Sequence, residues 1–174
     1  MQNLNKLSKV FLYLASLSGI LWLGGYLSRI LLTYQLFEPK DFILKSYVIP
    51  AQNLGGILYT MNSSVTFTLI TYIAFIVFFF LFIAFSKISL KKEGWLFIIL
   101  LIVIITMPFE IYLMTFDYKI ATQVFYGSYN PSDILNLYIR RMKVLSSFPL
   151  IEIFSFFGII FMFLFQPLKM KNTK

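Results

Sequence analysis

The sequence predicts an all-α integral membrane protein, a four-helix bundle with one additional interfacial amphipathic helix. Hydrophobic residues make up 59% of the chain and its mean hydropathy is +0.82, whereas soluble domains contain about 45–50% apolar residues. Four apolar runs also approach or exceed the about 20 residues that a helix needs to cross a hydrocarbon layer. They are residues 10–33, 64–86, 94–116 and 149–166. We expect residues 1–174 to form a single transmembrane domain.

The first span resembles a signal peptide at its start, because Lys6 and Lys9 precede the apolar run. The run continues past Trp22 to Leu32, and no small-residue cleavage site follows it. We therefore expect an uncleaved span. Small residues, which let helices approach closely in lipid, recur along it and predict a central, packed helix. These small residues are Ala15, Ser18, Gly19, Gly24, Gly25 and Ser28.

The connection between the first two spans, residues 35–63, contains Pro39, Pro50 and the pair Gly55-Gly56. Prolines and paired glycines interrupt regular structure, so we expect short pieces rather than a helix. The segment is too apolar for a solvated loop. It is therefore predicted to lie on the membrane surface or to fold over the bundle.

An amphipathic helix is predicted over residues 131–146. Asn130 is a suitable N-cap, Pro131 suits the first turn, and Asp133 lies where the helix dipole favours an acid. The basic residues expected to form an interfacial stripe are Arg140, Arg141 and Lys143. We expect this stripe to face lipid headgroups, and a specific protein docking site is the alternative.

The net charge of +8 would raise the question of nucleic acid in a soluble protein, but here the basic residues cluster at span ends. No nucleic-acid partner is expected. Eight lysines lie on the predicted inner side, against six basic residues on the outer side. The eight are Lys6, Lys9, Lys87, Lys91, Lys92, Lys169, Lys171 and Lys174. This excess predicts a multi-pass protein, most simply of a bacterial cytoplasmic membrane, with both termini cytoplasmic.

The chain contains no cysteine and no histidine. This composition excludes disulfides, thiolate or imidazole metal sites, and catalysis by cysteine or histidine. Glycine-rich phosphate loops and the common hydrolase motifs are also missing from the sequence. We therefore expect no cofactor and no metal.

Three ionisable residues interrupt the predicted spans, namely Arg29, Glu110 and Glu152. The rise of about 1.5 Å per helical residue places all three at a similar height in the outer half of the bundle. An unpaired charge at the centre of a span costs about 2.5–3.5 kcal/mol. We expect Arg29 to pair with one glutamate or to bridge both, unless one glutamate remains protonated.

Polar residues that share helix faces with these charges extend the candidate site. The full set of ligand-binding or buried ion-pair candidates is Arg29, Glu110, Glu152, Asp117, Ser64, Thr68, Thr106 and Ser155. The set has three interpretations. It is an interhelical clamp, an outward-facing site for a cation, amine or lipid headgroup, or a divalent-cation site using the oxygens of Glu110, Asp117 and Glu152.

As function, the sequence favours a non-catalytic membrane protein, either an accessory subunit or a small binding module with a polar pocket open to the outer side. Membrane lipids are expected partners, together with another membrane protein or a second copy of the chain. The first alternative is an ion- or proton-coupled transport component that uses the buried glutamates. The second is a small membrane enzyme with a carboxylate pair.

Overall fold

The computed structural model describes residues 4–38, 42–45, 49–127 and 129–169. Within these ranges the chain forms five α-helices and no β-strand. They are α1 (Lys6–Leu36), α2 (Ala51–Ser86), α3 (Gly94–Tyr126), α4 (Pro131–Lys143) and α5 (Phe148–Phe165). All except α4 are long and apolar enough to cross a membrane. The predicted all-α four-helix bundle is confirmed, and the protein is a multi-pass membrane protein.

The prediction for the first connection is wrong from Ala51 onward, because residues 51–63 belong to α2. Pro50 is the N-cap, where its missing N–H breaks no helical hydrogen bond. Two glycines cost a helix about 1 kcal/mol each relative to alanine. Burial of Leu54 and Leu58 offsets this cost, since each buried apolar side chain contributes about 1.5–3 kcal/mol.

The helices α1 and α2 run antiparallel and pack against each other along their length. Near one end the Ser8 hydroxyl donates a hydrogen bond to the Phe85 carbonyl at 2.8 Å. At the same end the loop before α3 meets the segment after α5, through a bridge between Glu93 and Lys169. We call this end the base of the bundle.

The opposite end, called the head, consists of the first part of α2, the last part of α3, α4 and the described residues 37–38 and 42–45. Here Leu44 lies antiparallel to Phe37, and the Glu38 N–H donates to the Ile43 carbonyl at 2.8 Å. With 36 residues, α2 is about 54 Å long, against a hydrocarbon thickness of about 30 Å. The head therefore extends beyond the hydrocarbon layer.

The amphipathic character predicted for α4 allows its apolar face to pack against α2 and α3 in the head. Its apolar residues Ile134 and Tyr138 are fully buried and pack with Leu58 of α2 and Ile120 of α3. Burial raises the pKa of Tyr138 to about 12. The apolar face of α4 thus contacts protein, and α4 ends at Lys143, earlier than the predicted residue 146.

Two hydrophobic cores result, one in the head and one nearer the base. The base core is rich in aromatic rings from all four spans, including Trp22, Phe75, Trp95 and Phe156. Gly19 allows α1 to approach these rings, because a Cβ atom at this position would lie 2.8 Å from Phe156 Cζ. The buried charges lie between the two cores.

Candidate functional site

The candidate site is built around Asp117, a buried carboxylate on α3. Both terminal nitrogens of Arg29, from α1, contact it: Nη1 donates to Oδ2 at 2.8 Å, and Nη2 pairs with Oδ1. This two-point geometry matches the planar guanidinium to the carboxylate. Arg29 Nη1 also lies 3.3 Å from Thr68 Oγ1 on α2. Three helices thus meet at one ion pair.

A second arginine, Arg141, reaches the same carboxylate from the end of α4. Its Nε lies 2.8 Å from Asp117 Oδ1, and its Nη2 lies 3.6 Å from Glu110 Oε1. Its Cζ also lies 5.9 Å from the centroid of the Tyr26 ring, within cation–π range. Burial lowers the pKa of Arg141, but the carboxylates of Asp117 and Glu110 outweigh this effect and leave the pKa raised.

The prediction that Arg141 faces lipid headgroups together with Arg140 and Lys143 is wrong. Arg141 is only 8% exposed, whereas Arg140 and Lys143 are exposed as expected. The reason is helical spacing. Arg141 follows Ile134 and Tyr138 by seven and three residues, so it lies on the buried face of α4.

The predicted triad of Arg29, Glu110 and Glu152 is wrong in its pairing. Among the described residues, Arg29 forms a salt bridge with Asp117, and Glu110 forms one with Arg141. Glu110 and Glu152 are 2% and 3% exposed, and their carboxyl groups interact with each other. Among the described residues, no lysine or arginine nitrogen lies within 4.0 Å of Glu152. Glu152 is therefore a buried acid next to another acid.

The five buried charged residues lie at successive heights along the bundle, an arrangement that we call the ladder. They are Arg29, Arg141, Asp117, Glu110 and Glu152. From the base end of α3, Asp117 lies at a height of about 35 Å and Glu110 at about 24 Å. Glu152 lies about 20 Å above the base end of α5 by the same rise. With a hydrocarbon layer of about 30 Å, Asp117 lies near its boundary and the glutamates lie inside it.

Below the ladder lies an aromatic layer, and nearer the base the rings of the bundle line an apolar void of about 260 Å³. The Trp22 ring stacks on Tyr26 with centroids 4.9 Å apart, and it lies 5.3 Å from both Tyr72 and Phe156. The hydroxyl of Ser18 at this level donates to a carbonyl of its own helix. Within the described residues, no charged side chain is buried between this layer and the base.

The voids beside the ladder are small. One of about 30 Å³ lies against Arg29, Tyr138 and Arg141, and one of about 10 Å³ lies against Glu152. A water molecule needs about 10–15 Å³ on this measure. The larger void therefore has room for about two waters and the smaller void for at most one, and neither has room for an organic ligand.

The remaining predicted residues divide between two surroundings. Thr106 and Ser155 line the void beside Glu152, as their predicted helix faces require. Ser64 is half-buried and contributes its carbonyl, which accepts a hydrogen bond from Thr68 Oγ1 at 3.0 Å. The structure thus brings Thr68, Thr106 and Ser155 to the site but leaves the Ser64 side chain outside the ion-pair network.

The alternative of a divalent-cation site is not supported by the geometry. In the described part of the chain, no group of three acidic, histidine or cysteine side chains has an arrangement that could hold a metal ion. Asp117 already faces two guanidinium groups and Glu110 faces one. These cations occupy the positions that a metal would need.

Two residues of the site were not predicted from the sequence. Arg141 pairs with the acids, and the ring of Tyr26 lies beneath the Arg141 guanidinium. The hydroxyl of Tyr26 is buried close to Glu152. The signal for Arg141 was its spacing from Ile134 and Tyr138. For Tyr26, the signal was its position three residues before Arg29, which places both on one face of α1.

Comparisons with protein-family models, with curated proteins and with solved structures find no match to this chain. Its function is therefore inferred from the arrangement of its own residues.

The adjacent arginines of α4 give a matched test of the network. Arg141→Gln leaves Glu110 without its buried cationic partner and Asp117 with Arg29 alone, and should lower the free energy of unfolding by about 3–5 kcal/mol. Arg140→Gln removes the same charge from an exposed position and should change it by less than about 0.5 kcal/mol. Unfolding in mixed detergent micelles measures both values. Equal effects of the two substitutions would contradict a buried role for Arg141.

Neutral substitutions of Asp117 and Glu152 should change the free energy of unfolding by different amounts. Asp117→Asn removes the carboxylate shared by two arginines and should cost about 3–5 kcal/mol. Glu152→Gln keeps the shape and the hydrogen-bonding capacity of a side chain that faces no cation, so we expect a change of less than about 1 kcal/mol. The same unfolding measurement compares them. A Glu152→Gln variant as unstable as Asp117→Asn would show that Glu152 is paired.

Proposed function

We propose that this protein is a non-catalytic membrane component, an accessory subunit whose buried charge network holds the head on the span bundle. This function is supported by one observation: other parts of the protein cover the buried charges both on the head side and on the base side. Arg141, which belongs to the head, covers the acids, and the layer of Trp22, Tyr26 and Tyr72 lies beneath them. A closed ion-pair network fixes geometry but leaves little space for a substrate.

The small size of the voids beside the buried charges favours a subunit over a binding module whose polar pocket lies among these charges. A pocket for an organic ligand usually measures about 300–1,000 Å³, and the polar void beside Arg29 and Arg141 measures about 30 Å³. Binding to another protein uses exposed surface instead. In this interpretation, the polar interior of the head serves stability.

The proposed contact with a partner lies on the exposed face of α1. The small residues of α1 divide between two faces: Ala15, Ser18 and Gly19 are buried, whereas Gly24 and Ser28 are exposed. A Cβ atom added at Gly24 would meet no heavy atom within 4 Å. Two small residues four apart on a lipid-facing surface let a second helix pack closely. The partner is therefore a transmembrane helix of another protein or of a second copy.

Transport is the second candidate, and the adjacent carboxyl groups of Glu110 and Glu152 are the observation that favours it. Paired acids inside a span are common in proton pathways. The aromatic layer beneath them is the argument against it, because a transported ion would have to pass Trp22, Phe75 and Phe156. An enzyme with a carboxylate pair has less support, since the 10 Å³ void beside Glu152 leaves no room for a substrate.

We place the protein in a bacterial cytoplasmic membrane with both termini cytoplasmic. Lysines at the base support this orientation under the positive-inside rule. They include Lys6, Lys9, Lys87, Lys91 and Lys92, while Lys171 and Lys174 lie outside the described residues. Arg141 is one of the six basic residues on the predicted outer side. Because it is buried against Asp117, it no longer counts against this orientation.

The subunit proposal is tested by purifying the full chain from its native host in mild detergent, with mass spectrometry of co-purifying proteins. Gly24→Leu should lower the yield of a stoichiometric partner at least tenfold, because the larger side chain blocks close approach of a second helix. The melting temperature should stay unchanged. Gly56→Leu is the matched control, since Gly56 on α2 also faces open space.

Two results would overturn the proposal. One is a parent protein that purifies alone and remains monomeric in a bilayer. The other is dissipation of a proton gradient by proteoliposomes containing the parent but not the Glu110→Gln variant, which would favour transport.

A further inference from the structure

A groove of about 470 Å³ opens between α3 and the junction of α4 with α5. It exists because the two last helices do not form one continuous rod. Helix α4 ends at Lys143, Leu145 adopts a left-handed backbone conformation with φ 55°, and α5 begins at Phe148. The turn displaces α5 from the line of α4 and leaves a concave surface beside α3.

The groove has a polar end and an apolar end. The polar end consists of the Lys143 ammonium and the exposed serines Ser146 and Ser147. The apolar end is lined by Phe109 and Phe148, whose ring centroids are 5.2 Å apart, and by Ile151.

The height of the groove matches the boundary between headgroups and acyl chains. Ser147 lies about 27 Å above the base end of α5, close to the hydrocarbon thickness of about 30 Å. The polar end therefore lies at headgroup level. Along α5, Ile151 lies one helical turn further toward the base, so the apolar end descends into the hydrocarbon.

Charge defines what the polar end can bind. Within the described ranges, no carboxylate lies within 4.0 Å of the Lys143 nitrogen. Exposed Arg140 lies one turn earlier on α4 and adds a second positive charge near this end. An anion is therefore favoured, and two serine hydroxyls beside it can donate hydrogen bonds to anionic oxygens.

We infer that the groove is a binding site for an anionic phospholipid. Lys143, Ser146 and Ser147 contact its phosphate, and one acyl chain lies against Phe109, Phe148 and Ile151. A phospholipid combines an anionic head with an apolar chain in the order and at the heights that the groove presents. The site does not depend on the proposed partner, because the exposed face of α1 is not part of it.

The test uses the full chain in nanodiscs of equal parts phosphatidylglycerol and phosphatidylcholine, followed by detergent extraction and native mass spectrometry of retained lipid. The parent should retain phosphatidylglycerol in preference to phosphatidylcholine. Lys143→Gln should lower this preference about fivefold, the usual contribution of one basic residue near an anionic surface. Ile151→Trp should displace the lipid by filling the apolar end, with the charge intact.

Lys119→Gln is the matched control, because Lys119 is an exposed lysine of the head outside the groove. It should retain phosphatidylglycerol as the parent does. Excess inorganic phosphate should not release the lipid, since phosphate lacks the acyl chain. Equal losses with Lys143→Gln and Lys119→Gln would overturn the site, as would retention of both lipids in equal amounts or release of lipid by phosphate alone.

Discussion

The structure depends on the contact of Asp117 with two arginines from different helices. Arg29 lies 88 residues before Asp117 in the chain, and Arg141 belongs to α4 of the head. Each charge alone would be costly at this depth, about 2.5–3.5 kcal/mol on insertion scales. The carboxylates of Asp117 and Glu110 together balance the two arginines, so the three helices are most stable when they meet at this point. The network therefore fixes the register of α4 against α1 and α3.

The charges also separate two regions with different physical roles. Below them, aromatic rings such as Trp22 and Phe156 form the core within the hydrocarbon, around an apolar void of about 260 Å³. Above them, aliphatic residues such as Leu58 and Ile134 join α4 to the extended ends of α2 and α3. The base core is stabilised mainly by close packing, because lipid is as apolar as the side chains. The head core lies beyond the hydrocarbon layer, where burial of aliphatic side chains away from water adds the hydrophobic effect.

Much of this arrangement could be predicted from the sequence. Composition and run length are sufficient for four spans, because lipid permits few alternatives to a helix. Depth and helical spacing also predicted that Arg29, Glu110 and Glu152 are buried, but Arg29 lies at the level of Asp117, about 11 Å above Glu110. Their pairing was not predicted, because the cation beside Glu110 comes from α4 and Arg29 pairs with Asp117, two helical turns from Glu110 on α3. Near the end of an amphipathic helix, a basic residue such as Arg141 normally reaches water, and only the contacts of Ile134 and Tyr138 turn it inward. Residues 51–63 form a helix for a similar reason, since tertiary burial outweighs the propensity of Gly55 and Gly56.

A network that joins the head to the spans is consistent with a subunit whose exposed surfaces must keep a fixed geometry. This account depends on Arg141 contacting Asp117 inside the protein. The most direct measurement is solid-state NMR in lipid bilayers, recording dipolar coupling between arginine guanidinium ¹⁵N and the ¹³Cγ of Asp117. The account predicts couplings at contact distance from both Arg29 and Arg141. A coupling from Arg29 alone, with the Arg141 guanidinium in rapid exchange with water, would contradict it.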